Sequence, residues 1–178
     1  MAGRRGTDET LQAAHAESQA GVVHLAPHDF VSCGIQRLAD SGDDLRKVRS
    51  VASLFLSRVD TLIDKRLEAI GGDALALRGR TAVALARIAY QDALGYFSDA
   101  VFGELAKRGA RPQTMLWAST GTKNAAYSDV LYVESLIGAR TINTVPDGTL
   151  AAFRDHGKAE ETLTRDIEAA RAQFAALQ

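Results

Sequence analysis

Two short polar stretches carry residue types suited to holding an anion. The first is S-L-F-L-S-R, residues 53–58, where two hydroxyls, an aromatic ring and a guanidinium interrupt an apolar run. Read as a strand, its alternation places Ser53, Phe55 and Ser57 on one face, with Arg58 at the exit. A hydroxyl inside a strand is unusual unless it lines a cavity. The second is W-A-S-T-G-T-K-N, residues 117–124, which offers Ser119, Thr120, Thr122, Gly121, Lys123 and Asn124 directly after an apolar run. Cations, hydroxyls and free backbone N–H groups together are what a phosphate needs. The plain alternative is a polar strand exit with a solvated lysine. Although T-G-T-K-N has a P-loop flavour, it lacks that motif's first glycine and its lysine–hydroxyl end.

Other constellations carry less. His24 and His28 have helical metal-ligand spacing, but Pro27 lies between them and disfavours helix at Ala26. Cys33 is the only cysteine, and no fourth zinc ligand is evident, so no metal site is expected. Asp60 and Asp64 read as carboxylates near the positive end of a helix that begins there. His156, before Gly157, reads as a helix-ending residue, and Trp117 as core.

The elements needed to position these residues follow from the pattern. V-A-S-L-F-L, T-M-L-W-A-S-T and T-I-N-T-V-P are short apolar runs of the kind buried parallel strands make. Between and after them lie helical stretches. One stripe is Ile63, Leu67 and Ile70, closed by Gly71. Another is Val83, Ala86, Tyr90, Leu94 and Phe97, followed by a short helix, DAVFGELAKRG. Ser128 can cap S-D-V-L-Y-V-E-S-L-I-G, with Gly138 as its stop. DGTLAAFRDHG is a further helix, and a last one carries Leu163, Ile167, Ala170, Phe174 and Leu177. Upstream, GVVHLAPHDFVSCGI reads as a strand, a turn at Pro27 and a second strand. Strands alternating with helices imply a parallel α/β architecture, with sites at the carboxyl ends of the strands.

Composition sets the outer bounds. The chain has 178 residues, 46% of them hydrophobic and 24% charged, with a formal net charge of −1. That is an ordinary globular mix, enough chain for one domain and its core, and too short for a closed eight-stranded barrel of about 250 residues. Near-neutral charge gives no electrostatic footprint for nucleic acid. No run approaches the roughly 20 apolar residues of a membrane span. Arg4 and Arg5 are followed by T-D-E-T-L-Q, so a secretory leader is not expected and a cytoplasmic location is.

From Leu38 onward the sequence resembles transaldolase, in the branch found in many bacteria. The resemblance is carried by DLRKVRSVASLFLSRVDTLIDKRL, by GDALALRGRTAVALARIAYQ and above all by residues 111–157, RPQTMLWASTGTKNAAYSDVLYVESLIGARTINTVPDGTLAAFRDHG. It implies an incomplete (β/α)8 TIM barrel of which residues 38–178 supply the C-terminal half, strands six to eight with their helices. Residues 1–37 are left as an unmatched N-terminal segment for which disorder is the expectation. The implied activity is transfer of a dihydroxyacetone unit between sugar phosphates of the pentose phosphate pathway, through a lysine Schiff base and with no cofactor. The implied ligands are of the fructose 6-phosphate, sedoheptulose 7-phosphate, erythrose 4-phosphate and glyceraldehyde 3-phosphate type.

Carried over position by position, Ser53, Phe55 and Arg58 line the substrate site and Arg58 meets the phosphate. Ser119 and Lys123 hold the same phosphate, with Lys123 standing where other branches carry arginine. The family's N-V-x-K-I-P-A-T strand, which bears the Schiff-base lysine, has no counterpart here. The first-strand aspartate, third-strand glutamate and fifth-strand threonine are likewise without match, so no catalytic residue is assigned. A phosphate role suits Lys123 better than a nucleophilic one, because a Schiff-base amine needs desolvation or a neighbouring cation. The expectation is therefore a truncated transaldolase-family chain, inactive alone. The alternative is a non-catalytic sugar-phosphate-binding or assembly fragment that pairs with another chain, or with itself, through open strand edges.

Overall fold

The computed structural model describes residues 27–177, with side chains from residue 31. Helix α1 (Pro27–Asp40) leads through a 3-10 turn at Leu45–Lys47 into strand β1 (Val51–Phe55) and helix α2 (Leu56–Ile70). A second 3-10 segment, Gly72–Leu77, precedes helices α3 (Thr81–Tyr96) and α4 (Asp99–Lys107). Then come β2 (Thr114–Ala118), the short α5 (Leu131–Glu134), β3 (Thr141–Asn143), α6 (Asp147–His156) and α7 (Ile167–Ala175). The strands form one parallel sheet in the order β1-β2-β3. Register pairs Ser53 with Leu116 and Leu116 with Ile142. The structure is thus α/β with a three-stranded parallel sheet, the arrangement a part of a barrel would have.

One face of this sheet is covered by helices. Ala52 and Leu54 of β1 and Met115 and Trp117 of β2 pack with Leu56, Ala82, Ala86, Ala89, Tyr90, Tyr132, Leu136 and Leu163. Trp117 is fully buried, as expected of a core residue. The run of alanines on α3 lets that helix lie close against its neighbours, with Ala170 of α7 buried beside it. The other face is open: Val51, Ser53 and Phe55 are exposed, and so is Ile142.

Several expectations change. The second strand upstream is instead helical, because α1 starts at Pro27 itself. A proline is well suited to a first helical turn, where its missing N–H is needed by no one. The first of those strands, and His24, lie outside the described residues, as does the side chain of His28. Ile35 and Ala39 of α1 are buried against Leu45, Phe102 and Ala110, so α1 is part of the fold and runs straight across the boundary expected at 37/38. Helix α2 begins at Leu56, so Ser57 is helical and buried rather than on the strand face with Ser53 and Phe55. On the same helix Ile70 is exposed, and its buried stripe is Leu56, Asp60, Asp64 and Leu67.

Ser128 caps no long helix. Its Oγ accepts from Val130 N–H at 3.3 Å, a local turn, and α5 is confined to four residues. Leu163 precedes α7 and is held in a turn, where its side chain is wholly buried. Among the described residues no helix is long and apolar enough to cross a membrane.

Candidate phosphate-type site at the strand exits

The two polar stretches meet. β1 and β2 are neighbours, Phe55 pairs with Ala118, and just beyond the pairing Ser57 N–H donates to Ser119 O at 3.1 Å. The exits carrying Arg58 and Ser119 are therefore side by side at the carboxyl end of the sheet, where parallel α/β folds bind ligands. Arg58 is exposed and lays its guanidinium over the Phe55 ring, 4.6 Å from the centroid. That cation–π contact orients the charge without consuming its hydrogen-bond donors. Ser53, exposed, lies two residues along the same strand face as Phe55.

Ser119 holds a φ of 54°, in the left-handed region where side-chain-bearing residues are uncommon. Such a conformation persists only when its surroundings enforce it, and it concentrates at ligand-binding turns. Here the enforcement is visible. Thr120 is fully buried and its hydroxyl donates to Thr144 O at 3.0 Å, while Thr144 N–H donates to Trp117 O at 2.9 Å. Ser119, not Gly121, is where the chain turns off the strand.

Lys123 follows on the same loop but faces a different wall. It lines a cleft of about 430 Å³ with Thr61, Asp64, Lys65, Asn124 and Tyr127, along the outer flank of α2. Arg58 and Phe55 are not part of that lining. Arg58 and Phe55 thus touch, Ser53 shares Phe55's strand face, Ser119 is joined to this exit through the Ser57 backbone bond, and Lys123 lies one loop away, over α2. Lys47, Lys65, Lys107, Lys123 and Lys158 are each exposed. Cys33 is exposed and free, and the described residues contain no cluster of three side chains able to hold a metal.

Beneath the loop lie groups that the sequence reading misplaced. Asp60 and Asp64 are buried, 1% and 7% exposed, well inside α2 rather than at its start. Asp60 accepts from Ala82 N–H at 2.8 Å and from the Tyr132 hydroxyl at 2.8 Å. Asp64 accepts from Gly79 N–H at 3.0 Å and from the Tyr127 hydroxyl at 2.7 Å. The positive helix end they serve belongs to α3, not to their own helix. Burial raises the Asp60 carboxyl above its ordinary value, against the opposing pull of those two hydrogen bonds. Burial first, and the Asp64 carboxylate second, push the Tyr127 phenol up to about 12. Tyr132 is raised further, by burial and by Asp60. One signal was present in the sequence: Leu56, Asp60, Asp64 and Leu67 fall on one helical stripe, so the aspartates share the apolar side.

The fold is that of an α/β protein with two polar strand exits side by side at the carboxyl ends of parallel strands. The chain belongs to the transaldolase/fructose-6-phosphate aldolase family, whose sequence model matches residues 6–178. It is 56% identical over 182 residues to a transaldolase of Thiobacillus denitrificans, an alignment covering 96% of this chain and 51% of that protein. It is 49% identical over 142 residues to a transaldolase of Neisseria gonorrhoeae, covering 80% of this chain and 39% of that one. With a transaldolase of Mycobacterium ulcerans it shares 52% over 136 residues, covering 75% and 36%. The chain spans about half the length of the Thiobacillus relative and less of the other two. The family match starting at residue 6 reaches well into the segment 1–37 that the motifs had left unmatched.

Proposed function

We propose that this chain carries the sugar-phosphate-holding part of a transaldolase, corresponding to strands six to eight of a (β/α)8 barrel, in a cytoplasmic protein of the pentose phosphate pathway. The observation that supports the reading is the Ser57–Ser119 backbone bond, which joins the strand exits that carry Arg58 and Ser119. In this reading the Arg58 guanidinium and the Ser119 hydroxyl bind the phosphate of a fructose 6-phosphate-type ligand. Ser53 and Phe55 face its carbon chain, and Lys123 supplies positive charge from the loop. The reaction served is dihydroxyacetone transfer through a lysine Schiff base, and the nucleophile is outside residues 1–178. The exposure of every lysine supports that assignment. Borohydride reduction in the presence of fructose 6-phosphate tests it. The expected result is reversible ligand binding with no covalent adduct. A reduced adduct on any lysine of this chain overturns the assignment.

A second reading, a non-catalytic assembly fragment, is favoured by the open sheet face. Val51, Phe55 and Ile142 are 48%, 42% and 43% exposed on one side of the sheet, and β1 and β3 are its edges. Strand edges next to exposed apolar groups pair readily with another chain. Size-exclusion chromatography of residues 1–178 separates the two: association supports the assembly reading, and a monomer that melts cooperatively argues against it.

A further inference from the structure

The Tyr127–Asp64 pair lies outside the residues proposed to touch ligand, yet it is built with unusual specificity. Gly79 has a φ of +66°, and a Cβ there would sit 2.7 Å from Tyr127 Cζ. Only glycine lets the ring lie against this backbone. The same Gly79 gives its N–H to Asp64 Oδ1 while Tyr127 gives its hydroxyl to Asp64 Oδ2. Ring and carboxylate are thus both fixed by one turn of chain ahead of α3. From Tyr127 back to Lys123 the path is short and stiff. Tyr127 N–H donates to Asn124 O at 3.1 Å, and Ala126 N–H donates to Asn124 Oδ1 at 2.9 Å. Such an Asx-type turn removes most of the freedom between the pinned tyrosine and the lysine. At its other end the loop is anchored by Thr120 on Thr144. Residues 121–126 are therefore suspended between two fixed points, with Lys123 between them.

We propose that Asp64 and Tyr127 are positioning residues that set the height of the 119–127 loop, and with it the reach of the Lys123 ammonium toward a sugar phosphate. The proposal rests on the sugar-phosphate reading above. The neighbouring pair, Asp60 with Tyr132, supplies an internal control. It uses the same chemistry one helical turn away and borders the same cleft, but Tyr132 lies in α5, not in the 119–127 loop, and is 1% exposed in the core.

The test titrates fructose 6-phosphate into the full chain and into its Tyr127→Phe, Tyr132→Phe and Lys123→Ala variants, with a melting curve for each. Tyr127→Phe is expected to weaken binding roughly five- to tenfold and also to lower Tm, because the buried Asp64 carboxylate loses a donor. Tyr132→Phe is expected to lower Tm and leave the affinity alone. Wild-type affinity in Tyr127→Phe overturns the proposal. So does a loss of affinity in both tyrosine variants that simply tracks Tm, since that is a structural role. If the wild-type chain binds no sugar phosphate, or Lys123→Ala binds as wild type does, the underlying reading fails at Lys123 and the positioning role falls with it.

Discussion

The two faces of the small sheet differ sharply. On one side, side chains from β1 and β2 meet α2, α3 and the 131–136 segment in a dry layer centred on Trp117 and Leu56, both fully buried. On the other, Val51, Ser53, Phe55 and Ile142 look into solvent. The residues proposed to bind phosphate sit where these two environments meet. Thr120 and Thr144 tie the chain after β2 to the covered side, while Ser53 and Phe55 lie on the open one. The contrast teaches that the course of the chain after β2 is fixed by packing on the covered side.

Substitutions on the two faces sharpen that contrast. Trp117→Ala should cost about 3–5 kcal/mol in urea unfolding, because it empties the centre of the covered layer. Val51→Ala, on the open face, should change stability by less than about 0.5 kcal/mol. Equal effects would mean that the open face is covered in solution.

The buried carboxylates come next. Asp60→Ala leaves Ala82 N–H and the Tyr132 hydroxyl buried without a partner, at a cost of about 1–3 kcal/mol for each. Asp60→Asn keeps an acceptor for Ala82 and places an amide donor against Tyr132. It should therefore lose much less and change the pH dependence. Because burial raises the folded-state pKa of Asp60, its folded form holds the proton more tightly than the unfolded chain does. That contribution favours folding at low pH and is lost as pH rises through the raised value. Asp60→Asn should then gain stability relative to wild type as pH climbs from about 3.8 toward neutrality, read from urea midpoints across that range.

The smallest effect belongs to the open rim. His156, the last residue of α6, contacts Asp129 at 3.0 Å and Asp155 at 3.2 Å, and these two carboxylates raise its pKa above 6.5. The link to Asp129 is complete below that ordinary value and is lost as pH rises through the raised one. NMR titration should place the His156 transition above 6.5 in wild type and lower in Asp129→Asn.

The alternating elements from β1 to α6 were legible because each strand is a short apolar run and each helix has its own stripe. The pairing of the strand exits was legible too, since S-L-F-L-S-R and W-A-S-T-G-T-K-N each close a strand in one parallel sheet. Two things were hidden for physical reasons. Asp60 and Asp64 read as serving the start of their own helix because a sequence does not show that Gly79, Ala82, Tyr127 and Tyr132 will donate to them. Helix α1 was read as extended because Pro27 was taken as a break rather than as a first helical residue. Lys123 lies on the loop after β2, beside α2, where Tyr127 donates to Asp64, a contact 63 residues apart that a sequence does not show.

The most direct test of the central claim is an amide NMR titration of the full chain with fructose 6-phosphate. The account predicts that the largest shifts fall on Ser57, Arg58 and residues 119–124, and that Arg58→Ala abolishes them while leaving the spectrum of the covered core in place. Shifts confined to some other surface, or a set at 119–124 indifferent to Arg58→Ala, would contradict it.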